Sequence, residues 1–160
     1  MSASDLVGLL LVLFIFGFLL LFLLAFFGYV GYQNWKRNEI RNRILAAAPN
    51  SGETLPVRYA SNDRYNSFFK IFPWDTAGVI FRSADEFLFL GEQLSGNQVR
   101  VSFSPGDARW IGTSPFPNGA VSWFEVTAQG SKHYFSSETG FFIIGSNRST
   151  RAILDSLHGQ

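Results

Sequence analysis

The stretch "AGVIFRSADEFLFLGE", Ala77 to Glu92, decides how the C-terminal two thirds of this chain is read. Two short apolar runs flank the polar tetrad Ser83-Ala84-Asp85-Glu86, a pattern that predicts a β-hairpin. The same period of two continues downstream. In "NQVRVSF" (Asn97 to Phe103) Val99, Val101 and Phe103 face one way, and Arg100 and Ser102 the other. In "AVSWFEVTA" (Ala120 to Ala128) Val121, Trp123 and Glu125 alternate with Ser122, Phe124 and Val126.

Further strands are predicted at Thr54–Ala60, Arg64–Ile71, Ala108–Thr113, Lys132–Ser137 and Gly140–Ile144. Turns fall at Ser104-Pro105-Gly106-Asp107 and in the Pro/Gly-rich "SPFPNG". A helix follows, capped by Ser146 or Asn147, with Ile153, Leu154 and Leu157 on one face and Gly159 at its end. About seven short strands and one amphipathic helix predict a partly open barrel that the helix closes.

Upstream the composition changes. Leu6 to Val30 is 25 residues without a charge. At about 1.5 Å per residue it is long enough for a hydrocarbon core of about 30 Å. The run exceeds a signal-peptide core, and no Lys or Arg precedes it, so a retained anchor is expected. Tyr29, Tyr32 and Trp35 fit an interfacial aromatic belt, and Lys36, Arg37, Arg41 and Arg43 follow. The positive-inside rule then places the N-terminus outside and the C-terminal domain in the cytoplasm, at a cell (inner) membrane. The basic residues also suit anionic headgroups. Gly17, Gly28 and Gly31 share one helical stripe, where small residues permit close helix packing. The expected organisation is a tail (1–5), a transmembrane helix (6–32), a basic juxtamembrane helix (33–48), a linker (49–53) and a β domain (54–160).

The order of "GVIFRSADEFLFLG", "VSFSPGDARWI" and "AVSWFEVTAQGSKHYFSS" before a terminal helix resembles a GRAM or bacterial pleckstrin-homology-like domain, over roughly Asp63 to Leu157. The resemblance implies a binding scaffold without a catalytic site. Lipid-binding members of that group cluster Lys and Arg around the first hairpin. Here Lys70 and Arg82 stand beside Asp75, Asp85 and Glu86, which argues against phosphoinositide binding.

Chemistry-bearing residues are sparse. With no cysteine, the sequence excludes disulfides, thiolate catalysis and Cys-ligated metals. His133 and His158 lack metal-ligand spacing, and Leu6 to Val30 offers no axial ligand, so no metal, cofactor or catalytic set is expected. From Thr54 to Gln160 nine basic residues balance nine acidic ones, which argues against nucleic-acid binding. Candidate partner contacts are Phe116, between two prolines, and Trp110 and Trp74, for both of which a core position is the simpler reading. The expected function is a non-enzymatic accessory subunit of a larger integral membrane complex, respiratory, photosynthetic or transport. The alternative is a membrane-tethered adaptor that binds proteins.

Overall fold

The structure, a computed structural model, describes residues 3–47, 52–67, 74–83, 86–93, 95–113, 121–137 and 148–159. The expected strand Gly140–Ile144, the tip residue Asp85, Phe116 and the expected caps Ser146 and Asn147 lie outside these. The chain divides into two compact units, Met1–Trp35 and Lys36–Gln160.

The first unit is helical, part of α1 (Ala3–Ala47). Its residues from Ser4 to Tyr29 are all exposed, including large side chains such as Phe14 (72%) and Phe16 (67%). Leu and Ala favour a helix, and here apolar residues, many of them Phe, surround its whole circumference. Such a helix is stable where lipid, not water, is the solvent. This one is long and apolar enough to cross a membrane, with mean hydropathy 3.2 over its most apolar window.

The second unit is built on one antiparallel sheet. Its strands are β1 (Thr54–Ser61), β2 (Thr76–Ser83), β3 (Glu86–Gln93), β4 (Gln98–Phe103), β5 (Ala108–Thr113), β6 (Ser122–Ala128) and β7 (Ser131–Ser137). Their order is β4-β3-β2-β1-β7-β6-β5, and every pairing is antiparallel. The opening stretch is the β2–β3 hairpin, in register from Thr76↔Gln93 to Ser83↔Glu86. The sheet curls into an open half-barrel, and a short C-terminal helix, α3 (Thr150–Leu157), packs against β5, β6 and β7.

The concave face carries the core: Val57, Ile80, Phe89, Val101, Phe124, Val126 and Phe135, joined by Ile153, Leu154 and Leu157 of α3. Val101 and Phe103 are buried as the alternation of β4 requires, and Val99 packs against the same core.

Two local expectations are corrected. Arg64 to Asn66, expected to begin a strand, belong to the short helix α2 (Asn62–Asn66). Ser61 Oγ accepts the Arg64 backbone N–H at 3.3 Å, so Ser-Asn-Asp acts here as a helix start and outweighs the aromatic content downstream. The second correction concerns α3. Its cap is Ser149, whose Oγ accepts the Ala152 N–H at 3.1 Å.

The next residue, Thr150, is 5% exposed and fastens α3 to the sheet: its Oγ1 accepts the Ser137 backbone N–H at 3.0 Å. Thr150→Val preserves shape but removes the hydroxyl that meets the Ser137 N–H, the Ser137 hydroxyl and the Ser136 hydroxyl. A loss of about 1 kcal/mol is expected in denaturant titration, the usual net contribution of a buried hydrogen bond.

Candidate functional site

The residues singled out from the sequence fall into three places. Gly17, Gly28 and Gly31 lie on α1, and a Cβ built at each meets nothing within 4 Å. Among the described residues, that stripe is uncovered. Tyr29, Tyr32 and Trp35 are in the same unit, with the Tyr32 and Trp35 rings 6.1 Å apart.

The basic residues belong to the second unit, where two of them make contacts with the sheet side of that unit. Arg43 Nη1 donates to both carboxylate oxygens of Glu92 on β3, at 3.1 and 3.0 Å, and Nη2 donates to Glu39 at 3.2 Å. Arg37 is 5% exposed, and its guanidinium lies 5.5 Å from the centre of the Trp74 ring. Arg41 Nη2 donates to Asn38 at 2.9 Å, and Lys36 is half-buried. Between Arg37 and Arg43, Ile40 is 1% exposed. Residues 36–47 therefore form a packed element of the β unit.

Trp74 is half-buried and held from a second direction. Arg58 of β1, 3% exposed, places its guanidinium 4.2 Å from the ring centre and donates Nε–H to the Ser137 carbonyl at 2.8 Å. A buried guanidinium needs such partners, and an indole face supplies one. Trp74 also packs against a second apolar cluster on the convex face, Ala60, Trp123 and Tyr134. Tyr65 of α2 covers it, stacked on Tyr134 at 3.7 Å. Sequence reasoning missed Arg58 and Tyr65. Their only signal is that Arg58, Ala60, Trp123 and Tyr134 all point away from the core at positions too aromatic for a solvated face.

Trp110, expected in the core, is 38% exposed on β5, with the Arg151 guanidinium 5.4 Å from its ring centre. Ile111 beside it is 37% exposed. A register shift between Trp110 and Gly112, with Gly112 at φ +90°, carries this part of β5 out of simple alternation.

Titratable groups of the β unit show shifts that trace to structural contacts or burial: Glu125, Asp75, Tyr134, Tyr59 and His133. Glu125 is 3% exposed and receives Arg109 at 2.8 Å and Lys132 at 3.3 Å. Burial alone would raise its pKa, but those two cations outweigh burial and hold the carboxyl below its ordinary value. Asp75 is shifted the other way. Burial raises it, and the Thr76 and Ser61 hydroxyls and Arg64 offset only part of that rise. Tyr134 is pushed up to about 12 by burial and by the Glu125 charge. Among the described residues, no three His, Asp or Glu side chains gather in a way that could hold a metal ion.

Tyr59 and His133 form a polar pair inside the half-barrel, Tyr59 Oη to His133 Nδ1 at 3.0 Å. His133 Nε2 lies 3.3 Å from the Ala128 carbonyl. A carbonyl only accepts, so Nε2 carries the proton and Nδ1 accepts from the Tyr59 hydroxyl. Burial, with a further push from Asp75, raises Tyr59 to about 12. Burial also lowers His133, and the Ala128 bond offsets part of that shift.

The folded pKa of His133 therefore lies below the value near 6.5 of the unfolded chain. Between the two values the unfolded chain binds more protons, so stability falls as pH drops below about 6.5 and is level above it. Asp75, raised when folded, acts in the opposite sense, and only towards the carboxylate range. His133→Gln is expected to flatten the decline below about pH 6.5, as measured by melting temperature against pH.

His158 lies at the end of α3, its Nε2 3.0 Å from the Pro105 carbonyl. Comparison with protein families, with curated proteins and with solved structures gives no match.

Proposed function

We propose that this protein is a non-enzymatic accessory subunit of an integral membrane complex, held there by α1 and presenting its β unit at the cytoplasmic face. The observation that carries this reading is the exposed apolar surface of residues 4–29. It is uncharged from Leu6 onward, and its three glycines leave room for a neighbouring helix. The β unit supports the non-enzymatic part. Glu125, Tyr59 and His133 are engaged in bonds between strands, and Asp75 in bonds to the Thr76 and Ser61 hydroxyls. The strand order and the helix after β7 are compatible with a pleckstrin-homology-like scaffold, and we read the unit as one.

A second reading, a tethered adaptor that recruits proteins through the β unit, is favoured by the exposed pair Trp110 and Ile111 on β5. Extraction in a mild detergent, followed by native sizing and mass spectrometry, separates the two. A fixed assembly of integral membrane proteins supports the subunit. A free or dimeric protein rejects it in favour of the adaptor.

Orientation rests on the charges at Lys36, Arg37, Arg41 and Arg43 against an N-terminal flank with only Asp5. Because the native chain has no cysteine, Ser131→Cys, at an exposed position, provides a single label. A membrane-impermeant maleimide is expected to react only after permeabilisation. Reaction in intact cells would reverse the topology.

A further inference from the structure

The second unit contains a trough between the last turn of α1 and the β3–β4 end of the sheet, where β4 is the edge strand. Its volume is about 300 Å³, at the small end of the roughly 300–1,000 Å³ typical of ligand sites. Ile44 and Ala47 line it from the helix, and Leu90 and Val99 from the sheet. These four side chains offer nothing that can hydrogen-bond.

Charge enters at the rim, and it is uneven. Glu92 is answered by Arg43. Arg100 is not answered: it is exposed, lines the trough, and makes no ion pair or hydrogen bond among the described residues. It stands directly opposite Leu90 in the β3–β4 register, so the two side chains share one face. A guanidinium with five donors in a planar fork therefore sits at the mouth of an apolar slot, uncommitted.

We propose that this trough binds a single-chain fatty carboxylate, with the alkyl chain along Ile44, Ala47, Leu90 and Val99 and the carboxylate on Arg100. The chemistry of the lining selects that class. An uncharged alkyl chain would leave Arg100 without a partner. A cationic amphiphile would meet both Arg43 and Arg100. A cofactor-sized or two-chain ligand exceeds the volume. A carboxylate matches the guanidinium fork with two parallel bonds. This proposal does not depend on the accessory-subunit reading.

The test uses the full chain in nanodiscs of phosphatidylcholine, with a diazirine-tailed dodecanoate as photoprobe. Peptides containing residues 43–47 and 90–100 are expected to be labelled, and dodecanoate to compete more effectively than dodecanol. Arg100→Gln is expected to reduce that labelling about tenfold, as for loss of one charge-assisted contact. Ala47→Phe fills the slot and is expected to abolish it. Both positions are on the surface, so melting temperature is expected to stay unchanged. Labelling confined to the apolar run Leu6 to Val30, equal competition by dodecanol, or full labelling of both variants would overturn the proposal.

Discussion

Gly78→Ala is expected to destabilise the β unit by about 3 kcal/mol or more, at or beyond the upper end of what overpacked cores lose. Gly78 lies on β2, directly opposite Gly91 on β3. A Cβ at Gly78 would stand 2.6 Å from Phe89 Cε2 and 2.7 Å from the Gly91 Cα, and would also press on the Leu90 carbonyl oxygen. Two of those three are backbone atoms of the paired strand, which cannot swing aside as a side-chain end does. At Gly91 a Cβ would meet Phe89 Cε1 and Thr76 Cγ2, both at 2.8 Å.

The two glycines make the hollow into which the Phe89 ring folds. Phe89 is fully buried, 5.0 Å from Phe135 and 5.3 Å from Tyr59, ring centre to ring centre. Removing the hollow forces that ring into neighbours packed at crystal-like density. Gly106→Ala is the control, since its Cβ meets nothing within 4 Å. Guanidinium titration of the full chain in a neutral detergent, followed by tryptophan fluorescence, measures both variants. Equal midpoints for Gly78→Ala and the parent would show that the hairpin does not close around Phe89.

That hairpin was legible because its signal is local. Apolar alternation on both sides of a polar tetrad fixes two strands, their turn and their register together. The same holds for β4, β6 and the apolar face of α3. The glycine pair was visible as letters but not as a hollow, since only the pairing of Gly78 with Gly91 puts them side by side. Alternation also could not tell that the convex face of β1, β6 and β7 is covered. Tyr65 lies in a segment expected as a strand and found in α2, Trp74 lies between predicted strands, and they reach Tyr134 and Arg58, respectively, only through the fold. The basic run carries a further role that its sequence does not display. Topology rules count Arg37 and Arg43 by sign and position, whereas their partners, Trp74 and Glu92, are 37 and 49 residues away in sequence. A separation of that kind leaves no pattern in a single sequence.

The consequence is that a β domain cut at Thr54, the boundary suggested by the change of period, is expected to be markedly less stable than one beginning at Lys36. The shorter fragment retains all seven strands and α3, so it keeps the concave core. It loses Ile40, which is 1% exposed, the Arg43–Glu92 ion pair and the Arg37–Trp74 contact. The ion pair is the smallest part: Arg43 is 57% exposed, so the pair contributes about 0.5 kcal/mol or less. Loss of one fully buried isoleucine costs about 2–5 kcal/mol when the site cannot collapse. The deletion also exposes Leu90 on the convex side of β3, which lines the trough with Ile44 and Ala47. A difference of about 3 kcal/mol between the two fragments is therefore expected, carried by burial more than by charge. Ile40→Ala in the longer fragment is expected to reproduce most of it, and Arg43→Gln little. Equal stability of the two fragments would mean that residues 36–47 do not pack on the sheet. A large effect of Arg43→Gln with none from Ile40→Ala would assign the docking to the ion pair instead.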